Sequence, residues 1–199
     1  MSKLVLYGAG GHAKVVAEIA ELNGYDDIIF CEDEPTKEKL LGYEVVATLE
    51  KTESCLLAIG NNLTRKKLAL SLFNKFVKLI HPRTSISIRG DIGEGTVIMA
   101  GVTINADVTI GKHCIINTNA SIDHDCVVEN YVHLSPNVAL AGNVTIGEGT
   151  HVGIGACVIQ GVKVGKWCTL GAGTVVIRNV PDGATVVGNP GRIIKQKEL

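Results

Sequence analysis

"INTNASIDHDCVVENYVHLSPN" (residues 116–137) carries an aliphatic residue at Ile116, Ile122, Val128 and Leu134, one every six. That period is neither the 3.6 of a helix nor the 2 of a strand. It extends outward in both directions, from Ile80 to Val176: seventeen consecutive hexads, each opening on Ile, Leu or Val. Four residues after each stands a small or β-branched residue, from Thr84 and Gly90 through Cys114, Ala120 and Cys126 to Val180. A sustained period of six is the signature of a parallel β-helix. Each hexad supplies one short strand and one corner, and three hexads close a triangular coil of roughly 18 residues. Seventeen hexads predict between five and six coils. The aliphatic fills the prism and the small residue sits inward near the corner. The frequent glycine after the aliphatic (Gly93, Gly111, Gly147, Gly153, Gly165, Gly171) is expected to relieve the turn.

Upstream the pattern differs. Residues 1–79 alternate strand-like and helix-like runs: "KLVLYGAG", then "GHAKVVAEIAELNG" with apolar residues at helical spacing, "DIIFCED", a loop, "SCLLAIG", and a helix over "NLTRKKLALSLFNKF". This order predicts a small Rossmann-like parallel sheet with helices packed on it. The chain is therefore read as an α/β domain over 1–79 followed by a parallel β-helix over 80–199.

Composition excludes several classes of function. Nineteen basic and twenty acidic residues leave a net charge of −1, with no electrostatic basis for nucleic acid. No apolar run approaches the roughly 20 residues that span a bilayer, and the start lacks the length and cleavage site of a secretory signal. Six cysteines without a CxxC pair argue against a disulfide framework. Cys114, Cys126 and Cys168 fall on inward positions, and Cys157 falls on an outward one. The expectation is a cytoplasmic protein without a membrane partner.

Two groups of residues exceed what packing requires. Gly8-Ala9-Gly10-Gly11-His12-Ala13 fits G-x-G-x-x-A between a strand and a helix, where glycines admit a ligand and a helix N-terminus favours an anion. Glu32 and Asp33 close the next strand, where a dinucleotide enzyme would bind ribose. The domain is short for a full dinucleotide fold, and a plain tight turn is the alternative. The second group is His124 with Asp125 beside it and Asp123 before it. The phase puts His124 at a corner outside the core. A carboxylate beside an imidazole raises its basicity and fixes its tautomer. Gly142, eighteen residues on, falls one coil along at the same corner, with a bare backbone N–H. His133 and His151 stack on one outer face, but two ligands without a third make a poor zinc site, so no metal is expected. His151 and His113 are read as surface residues, and His81 as part of the domain junction.

The repeat and the closing "VVGNPGRIIK" (186–195) resemble the left-handed β-helix acyltransferases, with Gly191 where alanine is usual. The opening "YGAGGHAKVVAEIAELNGY", "IIFCED" and "AIGNNLTRKKL" make the whole chain similar to the UDP-4-amino-sugar N-acetyltransferases of the bacillosamine pathway, within the sialic-acid O-acetyltransferase-like family. The resemblance implies a left-handed helix, a homotrimer and acetyl-CoA as co-substrate in the groove between prisms. It implies that Gly10, Gly11, His12, Glu32, Asp33 and Gly60 surround a nucleotide-sugar. It assigns His124 as general base, Asp125 as its acidic partner (Glu is commoner) and the Gly142 N–H as oxyanion donor. His133 would contact acetyl-CoA near the thioester. Ile154, Gly171 and Ala172, the last standing where some relatives carry Gly, would line its path.

The implied reaction is transfer of acetyl to the 4-amino group of a UDP-4-amino-4,6-dideoxy-sugar by direct attack. An O-acetyltransferase acting on sialic acid or another sugar hydroxyl would use the same residues. A non-catalytic nucleotide-binding β-helix is the third reading, against which His124, Asp125 and Gly142 weigh together.

Overall fold

The computed structural model describes residues 3–48, 54–72 and 75–198. Strands β1 (Lys3–Tyr7), β2 (Asp27–Cys31), β3 (Lys39–Leu40), β4 (Tyr43–Val46), β5 (Ser54–Leu57) and β6 (Lys75–Phe76) form one sheet in the order β3-β4-β2-β1-β5-β6. All pairings are parallel except β3 with β4. Helices α1 (Gly11–Leu22) and α2 (Asn62–Ser71) follow β1 and β5. The small parallel sheet is as expected, with two corrections. The stretch read as loop contains the β3–β4 hairpin, whose tip, Leu41-Gly42, takes positive φ. The second helix stops at Ser71 and does not run to Phe76; Phe76 belongs to β6, and Phe73 and Asn74 lie outside the described residues.

From Leu79 the chain winds a left-handed β-solenoid. Its first wall stacks Leu79–Ile80, Val97–Ile98, Ile115–Ile116, His133–Leu134, His151–Val152 and Thr169–Leu170. The second wall runs from Ser85–Ile86 to Val175–Val176 and the third from Asp91–Ile92 to Lys163–Val164. With six, six and five two-residue strands, the walls account for all seventeen hexads. Every neighbour pairs eighteen residues on, as Ile122 with Leu140, so the register never slips. Ala184–Val187 and the antiparallel Arg192–Gln196 close the first wall. The inward aliphatics form one core, with Cys114, Cys126 and Cys168 buried inside it and Cys157 exposed.

The glycines after the aliphatics answer a different demand from the one expected. A Cβ on Gly93 would lie 2.6 Å from the Gly111 carbonyl carbon of the next coil, so close stacking requires them. The turn itself sits two residues later. There a left-handed residue recurs every six positions, including Gly95, Asp107, His113, Asn119, Asp125, Tyr131 and Asn143. Gly, Asn, Asp and His tolerate that conformation best.

The two units share a core. Leu79, Val97, Met99 and Ile115 point outward from the first wall and are buried against α1 and β1, among Leu4, Leu6, Val16 and Ile19. Burying each contributes about 1.5–3 kcal/mol, enough to make the pair one packed body. The Asn23 side chain adds a hydrogen bond to the Ile80 carbonyl at 2.9 Å, at the junction where His81 also lies.

Candidate active site

At the corner between the second and third walls, Asp125 takes the left-handed turn position (φ 60°). This folds its carboxylate back onto His124, with Nδ1 to Oδ2 at 2.7 Å. Nδ1 then carries the proton and donates, leaving the Nε2 lone pair free. The hydrogen bond to Asp125, followed by the charge of Asp123, raises the His124 pKa above its ordinary value. Asp123 is itself held: its Oδ1 accepts from the His124 backbone N–H and from Asn105 Nδ2, each at 2.8 Å. These bonds keep its carboxyl below the usual range, the one to Asn105 first. Gly142 stands one coil on. A Cβ there would lie 2.7 Å from both Cε1 and Nε2 of His124. The glycine gives the ring its place, and its own N–H makes no hydrogen bond among the described residues.

The glycine loop borders a cavity of about 480 Å³ that brings together Gly10, Gly11, His12, Glu32, Asp33 and Gly60. The glycines have separate duties. Gly8 is structural: its φ is +113° and a Cβ would press on Ile59 and the Ala58 carbonyl. Gly10 and Gly11 would meet nothing within 4 Å, so packing does not demand them and the space in front is open. Helix α1 has no side-chain cap, leaving its first N–H groups for a ligand. Glu32 accepts from the Ala9 N–H at 2.9 Å and Lys37 donates to the Ala9 carbonyl at 2.9 Å, which holds the loop. Tyr7 donates its hydroxyl to Asp33. His12 presents a buried Nε2 with no partner among the described residues. Burial, then Arg65, lowers its pKa to about 4.

His133 lies on the first wall, stacked on His151 with centroids 4.9 Å apart. Its Nε2 meets Asn117 Nδ2 at 3.3 Å. Burial first, then the neighbouring His151, lowers its pKa to about 3 and keeps it neutral. Ile154 and Ala172 are exposed along the corner between the first and second walls. Gly171 stands where a Cβ would press on Val187. Among the described residues no group of three or more His, Cys, Asp or Glu is placed to hold a metal.

His113 is a correction. It was expected on the surface, yet it is 4% exposed. Helix α2 and β6 cover the corner between the third and first walls, where His113 stacks on Tyr131 and meets Phe76 edge-on. Burial lowers its pKa to about 4.

Sequence reasoning missed three residues. Asn105 lies eighteen residues before Asp123, so the register alone could have found it. Asn117, sixteen residues before His133, needed the corner geometry. Arg65 left no signal beyond the "GNN-x-x-RKK" run. It is 1% exposed and has no carboxylate partner among the described residues. Its guanidinium instead donates to the carbonyls of Ile59, Gly60, His113 and Tyr131 and to Asn62 Oδ1, at 2.7–3.3 Å. It ties the Gly60 edge of the cavity to two coils of the solenoid.

Two family models match the chain: the PglD N-terminal domain over residues 3–72, and the bacterial transferase hexapeptide (six repeats) over 91–124 and 143–178. Among curated proteins, the UDP-N-acetylbacillosamine N-acetyltransferase of Bacillus subtilis (strain 168) is 44% identical over 113 residues. That match covers 50% of this chain and 52% of the relative, about half the length of each. Among solved structures, the acetyltransferase domain of PglB from Neisseria gonorrhoeae FA1090 superposes with a TM-score of 0.93 at 39% identity, covering 98% of this chain and 100% of that one. The same domain in complex with acetyl coenzyme A gives 0.91 at 40% identity, covering 96% and 98%. A histidine-to-alanine mutant of the GDP-perosamine N-acetyltransferase from Caulobacter crescentus, in complex with CoA and GDP-perosamine, gives 0.93 at 38% identity, covering 98% of both chains.

Proposed function

The chain belongs to the hexapeptide-repeat sugar N-acetyltransferases that carry a PglD N-terminal domain, and from this we propose that it moves acetyl from acetyl-CoA to the 4-amino group of a UDP-4-amino-4,6-dideoxy-sugar. The observation that carries the reading is His124, oriented by Asp125 and facing the bare Gly142 turn with its free nitrogen. In this mechanism His124 Nε2 takes a proton from the amine as the amine nitrogen attacks the thioester carbon. The Gly142 N–H stabilises the oxyanion. The C–S bond then breaks, and the thiolate of CoA leaves and takes up a proton. A positioned base contributes about 10²–10⁴ in rate and an oxyanion donor about 10²–10³. No acyl-enzyme is formed, since the cysteines near the corner face the core.

In the same reading, residues 1–79 hold the nucleotide-sugar and 80–199 the acetyl-CoA, with His133, Ile154, Gly171 and Ala172 along the donor's path. His124 lies on the corner opposite the first wall, whereas the glycine-loop cavity sits over that wall. One prism therefore turns the two away from each other. A neighbouring copy in a homotrimer would bring its His124 corner to them. The second wall supports such packing: Ile159 and Ile177 stand outward, 37% and 40% exposed, beside Ala139 and Cys157. The free thiols of Cys114, Cys126, Cys157 and Cys168 support a reducing, cytoplasmic compartment.

A second reading keeps the reaction and changes the nucleotide. The GDP-perosamine enzyme is as similar to this chain as the PglB domain is. The deciding experiment follows CoA release with UDP-, GDP- and dTDP-linked 4-amino-4,6-dideoxy-sugars and with sialic acid. Turnover of the UDP-linked amine is expected. Selective turnover of the GDP-linked one would exchange the nucleotide, and turnover of sialic acid alone would replace the amine by a hydroxyl. A mass by light scattering other than three times the chain would overturn the trimer.

A further inference from the structure

The His124 corner continues upward through the solenoid. Ile122, Leu140, Val158 and Val176 pair in register up the second wall. The residue two places after each is therefore His124, Gly142, Gln160 and Arg178 in turn. Arg178 stands three coils above His124. At roughly 4.7–4.9 Å per coil the rise is about 14 Å.

At that height a cavity of about 430 Å³ opens between Arg178, Asn179, Arg192 and Ile193. It has two guanidinium groups in its lining and no carboxylate. Arg178 is exposed and makes no hydrogen bond or ion pair among the described residues. Among the described residues, the Arg192 side chain donates only to the neighbouring Gly191 carbonyl, at 3.2 Å. The closing strand thus brings a second cation beside the first, and no carboxylate among the described residues pairs with either.

The span matches a donor chain. From its thioester sulfur to its diphosphate ester oxygen, coenzyme A carries about twelve bonds, the length of four residues. At roughly 3.3–3.6 Å per residue it reaches about 13–14 Å when extended. With the thioester at His124, the diphosphate arrives at Arg178. We propose that Arg178, with Arg192 beside it, binds the diphosphate of coenzyme A and so sets where along the corner the thioester stops. A guanidinium suits this task because its fork bonds two phosphate oxygens at once. The inference rests on the acetyl-CoA reading above and adds residues to it.

The test uses the full chain and Arg178→Ala, with binding measured by calorimetry for CoA, 3′-dephospho-CoA and pantetheine, and no acceptor present. The exposed, unpartnered side chain makes a folding defect unexpected, and circular dichroism checks it. Losing a charge-assisted contact is expected to weaken CoA and 3′-dephospho-CoA alike, by roughly 10- to 100-fold. Pantetheine, which lacks the diphosphate, should bind the variant as it binds the parent. Equal weakening of pantetheine, unchanged CoA binding, or a loss confined to the 3′-phosphorylated ligand would each overturn the assignment. A parent chain that binds no CoA would overturn the acetyl-CoA reading and this inference together. A parent that binds CoA and a variant that binds it equally would overturn this inference alone.

Discussion

His113 and His124 occupy two corners of one prism, built by the same repeat, and their chemistry runs in opposite directions. At the corner between the third and first walls, His113 stacks on Tyr131 one coil on, and Trp167 stands two coils beyond Tyr131, with Gly95 and Gly149 leaving room for the rings of His113 and Trp167. Helix α2 covers them, Lys66 lies over Tyr131 and Trp167, and His113 is held neutral by burial. At the corner between the second and third walls, His124 also fills space that a glycine leaves, here Gly142 one coil on, but it stands in solvent between two carboxylates. Its pKa moves up instead of down. Coil geometry is therefore indifferent to function. What covers a corner, and which charges flank it, decide whether an imidazole packs or reacts.

Substitution at the open corner gives the largest expected effect. His124→Ala should lower kcat by roughly 10²–10⁴ in a thiol-release assay. The melting temperature should barely move, because exposed side chains usually contribute within about 0.5 kcal/mol. A large loss of stability would break the contrast between the corners. At the covered corner the balance reverses. Arg65→Ala leaves five acceptors without their donor, three of them buried, and should destabilise the fold by about 3–5 kcal/mol in a urea titration.

A matched pair of glycines sharpens the same contrast. Gly142→Ala puts a methyl 2.7 Å from the His124 ring and should cut kcat by about tenfold or more, because misplacing a catalytic group by an ångström is expensive. Gly149→Ala presses a methyl on Trp167 at a left-handed residue and should lower stability by about 1–3 kcal/mol. A result in which both variants fail alike would mean that the corners are not distinct.

The smallest effects are in pH. Because Asp125 and Asp123 raise the His124 pKa, the acid limb of kcat/KM should lie above pH 6.5. Asp125→Asn should move that limb downward. His113 titrates near 4 when folded and near 6.5 when unfolded. Its contribution to stability is thus complete above pH 6.5 and lost as the pH falls toward 4. Melting curves across that window should show the decline, and His113→Phe should lessen it, with His12 and His133 supplying the remainder.

Much of the candidate site was legible in the sequence because it follows from local rules. The G-x-G-x-x-A turn put Gly10, Gly11 and His12 on one cavity. The eighteen-residue register put Gly142 over His124. His113 was misread because the phase says which way a side chain points and not what lies on top of it. The hairpin at β3–β4 was missed because its strands are short and lack alternation.

The amino-acid sequence by itself determined the solenoid, its register and the residues at each corner. A six-residue period admits one inward set, and a one-residue slip would turn the aliphatics out into water. Tertiary structure alone decided how the sheet-and-helix unit sits on the prism. That placement depends on Leu79, Val97, Met99 and Ile115 finding α1, and on Arg65 finding carbonyls 48 and 66 residues away. Such contacts join residues distant along the chain, so no local pattern announces them. They determine which histidine is buried and which is free to take a proton.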